Sequence, residues 1–142
     1  MIFGVSVALL AAAWAFQMVF VDELSAGRLG PAFFGYLLAL TFYGTVVYLF
    51  GFSGRLLQTL SAIIACGSIL ALVSRAEYVV FAPLLGQETA GALSLLIWMW
   101  SVPVKGHVIA QAIQRHWFVG ITIAVAAFIM RIGVETAFAP RV

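Results

Sequence analysis

The chain alternates long apolar runs with short polar breaks, and within each run the apolar residues are continuous rather than alternating. A helix needs about 20 mostly apolar residues to cross a bilayer. A backbone in lipid must satisfy its own hydrogen bonds, which selects helices over open strands. Five segments fit this pattern: 2–21, 31–52, 56–73, 89–113 and 117–138. Asp22-Glu23 closes the first, and the turn formers Ser25 to Gly30 follow. Pro31 then stands where a first-position helix proline belongs. Gly51, Ser53 and Gly54 end the second segment, leaving Arg55 in a very short loop.

Two places leave alternatives. After the third segment comes Ser74-Arg75-Ala76-Glu77, and then an apolar piece, 78–85, too short to span. Pro83 and Gly86 break that piece, which either extends the third helix at the interface or forms a re-entrant segment. Farther on, Trp98 to Met130 is too long for one span, and Gln111, Gln114, Arg115 and His116 make a polar break in it. A turn there gives five spans, and four without it. The expected fold is all-α: a polytopic transmembrane helix bundle forming a single integral membrane domain over residues 1–142.

Composition agrees. Of the 142 residues, 65% are hydrophobic and 8% charged, with a mean hydropathy of +1.16, values that belong to a bilayer rather than to a soluble core. The seven basic residues are scattered singly, so nucleic-acid binding is not expected. The single cysteine, Cys66, cannot close an intramolecular bridge and is read as a small packing residue. Met1 to Phe20 has no basic lead and no clear small-residue cleavage site, so it is read as a retained first span rather than a signal peptide.

Five spans put Arg55 and the Gln114-Arg115-His116 turn on one face, with the N-terminus. The acidic residues fall on the other, where Asp22, Glu23, Arg28, Arg75, Glu77, Glu88 and Arg141 gather, with Arg131 and Glu135 close by. Lys and Arg divide almost evenly between the faces, so the basic-residue rule for orientation has little to act on. The segregation of acids favours a cytoplasmic N-terminus and an outside C-terminus, in a bacterial inner membrane.

Ionisable groups inside apolar segments are where function is sought, because hydrocarbon solvates them poorly. Lys105 and His107 follow Pro103, which removes a donor and is expected to kink the fourth helix. His107, Gln111 and Gln114 repeat at i, i+4, i+7 and share a helix face. Together Lys105, His107, Gln111 and Gln114 form a candidate polar intramembrane site of the broken-helix kind. The plainer expectation is that Lys105 snorkels to the headgroups and that the stripe hydrogen-bonds between helices. Arg131 and Glu135 stand at i, i+4 and are expected to pair. With Asp22, Glu23, Arg75 and Glu77 they make a candidate ion-pair cluster at the outer end of the bundle. The two histidines lie at different depths, which argues against a haem, and no catalytic, cofactor or metal cluster is expected.

Two further features carry a resemblance. The third span opens Arg55-Leu56-Leu57-Gln58-Thr59-Leu60-Ser61-Ala62, and the fourth contains Trp98 and Trp100 before a short polar turn. In layout and at these residues the chain resembles the Yip1-domain superfamily of small polytopic membrane proteins. It departs from that pattern in lacking a polar or amphipathic N-terminal segment. The resemblance implies a membrane-embedded adaptor, since eukaryotic members work in trafficking with small GTPases, and it transfers no catalytic residue.

The expected function is therefore an interaction, scaffold or accessory subunit without catalysis of its own. Its partners would be membrane lipids and another membrane protein, or a second copy. The alternative is a small transporter or channel around Pro103, Lys105, His107 and Gln111. An enzyme would need convergent acid–base groups, yet the acids and histidines lie at opposite faces.

Overall fold

A computed structural model describes residues 4–8, 10–12, 15 and 26–138. The backbone at 4–8, 10–12 and 15 is helical and is called α1. Four long helices follow: α2 (Ala26–Leu49), α3 (Leu56–Leu85), α4 (Gln87–Ala112) and α5 (Trp117–Ala137), with a short 3-10 turn at Ser53–Arg55. Each of the four is long and apolar enough to cross a membrane. The architecture is all-α, without strands among the described residues, and is compatible with an integral membrane protein. The rest of the first expected span, 2–21, lies outside the described residues.

The helix ends follow local chemistry. Gly51, at φ +83°, closes α2. Its N–H donates to the Tyr48 carbonyl at 3.0 Å, and the Phe52 N–H donates to Val47 at 3.1 Å, which is the paired bonding of a Schellman turn. The same pairing closes α4, where Arg115 donates to Ala110 at 3.0 Å and Gln114 to Gln111 at 3.4 Å. There the left-handed position is Gln114 itself, at φ +51°. A single residue, Gly86 at φ +87°, joins α3 to α4.

Two boundaries differ most from the sequence reading, the start of α2 and the end of α3. α2 begins at Ala26, so Pro31 lies inside the helix rather than at its first position, at the cost of one backbone hydrogen bond. The turn formers at 26–30 wind into helix instead of a loop. α3 runs unbroken for 30 residues through Ser74 to Glu77 and Pro83 to Leu85, since Arg, Ala and Glu are good helix formers. Of the two alternatives for 78–85, extension of the third helix is the one adopted, and Gly86 alone ends it. At 1.5 Å per residue α3 reaches about 45 Å, beyond a hydrocarbon core of about 30 Å.

Packing sets the position of the site. α3 lies along α4, α4 along α5, and α5 along α2, while α2 makes little contact with its chain neighbour α3. The core joins Tyr43 and Val47 of α2, Ile63 of α3, Ile109 of α4 with Ile113 just after it, and Ala127 of α5. Hydroxyls satisfy themselves locally: Thr41, Thr45, Thr59, Ser61, Thr122 and Thr136 each donate to a carbonyl four residues earlier, as membrane helices allow.

Candidate functional site

Because α2 and α3 do not close on each other, the bundle keeps a cavity of about 290 Å³ between its helices. Each long helix contributes one face to it. α2 supplies Tyr36, Ala39 and Tyr43, and α3 supplies Ile63, Gly67, Ser68 and Arg75. α4 supplies Trp98, Ser101 and Lys105, and α5 supplies Ala127, Arg131 and Glu135. Leu10 of α1 also reaches it.

Arg131 organises the α5 wall. Its Nε donates to Glu135 Oε1 at 2.7 Å, and its guanidinium carbon stands 4.8 Å over the Trp98 ring, within cation–π range. The side chain lies against Gly35 of α2, where an added Cβ would come 3.3 Å from Arg131 Cγ. Lys105 lies near Gly67 of α3, where a Cβ would come 3.8 Å from Lys105 Cε. Gly35 thus makes room for the Arg131 stem, whereas a Cβ at Gly67 would touch Lys105 only at ordinary van der Waals distance.

Lys105 does not snorkel toward the Arg115 turn. Side chains on a helix lean toward its N-terminus, and α4 runs from Gly86 toward that turn, so Lys105 leans inward to the level of Gly67. It forms no hydrogen bond or ion pair with any described residue.

The sequence-derived polar site is divided by the helix. Two residues of α-helix turn through about 200°, so His107 stands on nearly the opposite side from Lys105. His107, Gln111 and Gln114 are all exposed, and none of them lines the cavity. The inward faces of α4 are taken by Lys105 and Ser101 toward the cavity and by Gly106, Ile109 and Ala110 toward α5 and the core. Gln114 works at the end of the bundle: with its amide oxygen facing Arg55, an orientation assigned from the surrounding donors, it accepts from both terminal guanidinium nitrogens at 3.2 Å. That contact ties the Arg55 and Arg115 turns to the same end.

The ion-pair cluster is brought together in part. Arg131 and Glu135 pair, and Arg75 lines the same cavity. Glu77 turns aside to α4, where it accepts from Ser94 Oγ at 2.7 Å while its other oxygen is buried without a partner. Asp22 and Glu23 lie outside the described residues. His116 caps α5, with Phe118 N–H at a long 3.5 Å from its Nδ1. No group of three or more His, Cys, Asp or Glu gathers among the described residues.

Sequence reasoning missed Tyr36 and Ser68 as site residues. The Tyr36 hydroxyl and Ser68 Oγ are buried without a hydrogen-bond partner, and both residues line the cavity. Periodicity could have signalled Tyr36, since Ala32, Tyr36, Ala39 and Tyr43 repeat at helical spacing. The fold and cavity together define a polytopic helical bundle with a cationic interior. No family model, curated protein or solved structure matches the chain.

Proposed function

We propose that this chain is an interaction or accessory subunit of the membrane, without catalysis of its own, that docks a helix of another membrane protein or of a second copy. The observation that carries this reading is the outward exposure of His107 and Gln111 on α4, a helix long and apolar enough to cross a membrane. Polar side chains at such positions are satisfied by an adjacent helix, each contact adding about 0.6–2 kcal/mol. The Yip1-like layout supports the same reading. We place the Arg55 and Arg115 turns and the N-terminus at the cytoplasmic face of a bacterial inner membrane, with the C-terminus outside. A transport path through Lys105, His107 and Gln111 together is less well supported, because Lys105 and His107 face opposite ways.

The test is the state of the chain purified in mild detergent. The wild type is expected as a homo-oligomer or with a stoichiometric membrane partner, and His107→Leu with Gln111→Leu is expected to release a folded monomer. A wild type that is monomeric and partner-free, or a complex indifferent to both substitutions, overturns the reading.

A further inference from the structure

We infer that the cavity binds a phosphate group, as the monoester head of a membrane amphiphile or as free phosphate, between Lys105 and Arg131. This goes beyond the docking reading and does not depend on it, since the outward face of α4 takes no part.

The first ground is charge. Arg75, Lys105 and Arg131 face the cavity against one carboxylate, Glu135, leaving two positive charges uncompensated among the described residues. Cations surrounded by apolar helices need a counter-charge or water, and a phosphate monoester carries about −1.5 to −2 at neutral pH. The second ground is hydrogen-bonding capacity. Arg131 uses Nε on Glu135, and its terminal amino groups bond no described residue. Ser68, 2% exposed, and the Tyr36 hydroxyl are both unpartnered, although buried polar atoms ordinarily find partners. Two cationic side chains and two idle hydroxyls, one from each of four helices, therefore converge on one space, a donor set suited to an oxyanion.

The third ground is shape. At about 290 Å³ the cavity is at the small end of ligand sites, which run from about 300 to 1,000 Å³. It holds a head and the start of a chain, not a whole lipid. Ile97 and Phe128 supply an apolar wall beside the cations, and the loose joint between α2 and α3 is where a chain would pass into the bilayer.

The test is native mass spectrometry of the full chain released from detergent, titrated with phosphatidic acid and with phosphatidylcholine of identical chains. Thermal unfolding with inorganic phosphate forms a parallel arm. Wild type is expected to bind phosphatidic acid at least about tenfold more tightly than phosphatidylcholine, the scale of one charged hydrogen bond. Lys105→Gln should abolish that preference and Lys105→Arg should keep it. Ser68→Ala should weaken binding without loss of fold, because its hydroxyl bonds nothing in the protein. Arg115→Gln, the same charge change outside the cavity, should leave the preference intact. A Lys105-dependent response to lipid alone identifies a lipid-borne head, and a response to inorganic phosphate alone identifies the free anion. Either outcome upholds the oxyanion site. No preference and no phosphate response, or a preference that survives both Lys105→Gln and Ser68→Ala, overturns it. Should Lys105→Gln fail to fold, Lys105→Arg and Ser68→Ala decide alone.

Discussion

Gly106 of α4 and Gly120 of α5 lie backbone against backbone. A Cβ on Gly120 would overlap the Gly106 carbonyl oxygen and come 2.9 Å from the Ala110 nitrogen, and one on Gly106 would come 2.9 Å from Ile121 Cα. Backbone cannot give way as a side-chain tip can, so each position excludes anything larger than glycine. Gly106 therefore serves the seating of α5 rather than a break in α4, which continues through Pro103 and Gly106 to Ala112.

Gly120→Ala should accordingly destabilise the bundle by about 1–3 kcal/mol or more, the cost of overpacking. Gly133→Ala on the same helix meets nothing within 4 Å and should be neutral or stabilising by up to about 1 kcal/mol, through helix propensity. Thermal unfolding in one detergent checks both, and equal melting temperatures would contradict the contact.

Arg131→Ala removes the partner of Glu135 and the cation over Trp98. Their side chains are 20% and 31% exposed, so the loss should fall between about 1 kcal/mol for a surface pair and about 3–5 kcal/mol for a buried one. Arg115→Ala, at an exposed turn with its guanidinium 6.0 Å from the Phe50 ring, should cost at most about 1 kcal/mol. Guanidinium or thermal melts that shift equally for the two variants would show that Arg131 gains nothing from its site.

The α3–α4 link depends on one backbone conformation. Gly86 sits at φ 87°, ψ 157°, a region that side chains with a Cβ reach only at about 1–3 kcal/mol of strain. Gly86→Ala should lower the melting temperature, whereas Gly54→Ala, at ordinary φ with open space around it, should not. Indistinguishable melts would mean that the hairpin tolerates another turn.

The connectivity fixes which loops share a side. In a Cys66→Ser background, cysteines at Ser53 and Arg115 should label from one face of the membrane and a cysteine at Gln87 from the other. The Gln114–Arg55 contact requires the first two to agree. Labelling of Ser53 and Arg115 from opposite faces would refute this arrangement.

Helix type and the approximate places of α2 to α5 were legible because continuous apolar runs of that length admit one solution in lipid. The i, i+4 pairing of Arg131 and Glu135 was legible for the same local reason, since helix geometry alone brings them together. The separation of Lys105 from His107 was also in the sequence, in their two-residue spacing, although polarity alone grouped them. The run through Ser74 to Glu77 looked like an end because charge marks a membrane boundary, yet it does not break a helix.

Local rules could not reveal which helices would leave a gap. That α2 packs on α5 rather than α3 follows from side-chain fit between distant segments, and it is this choice that opens the cavity. The sequence shows Gly35, Gly67, Gly106 and Gly120 as the same small residue. Tertiary packing sets Gly35 tight against a cationic stem, Gly67 at ordinary distance from another, and Gly106 and Gly120 against backbone, because what a missing Cβ permits depends on which group comes to occupy the space. So the sequence determined an all-helical, membrane-compatible chain with a few costly charges, and the tertiary structure decided that Lys105, Arg131, Ser68 and Tyr36 share one cavity.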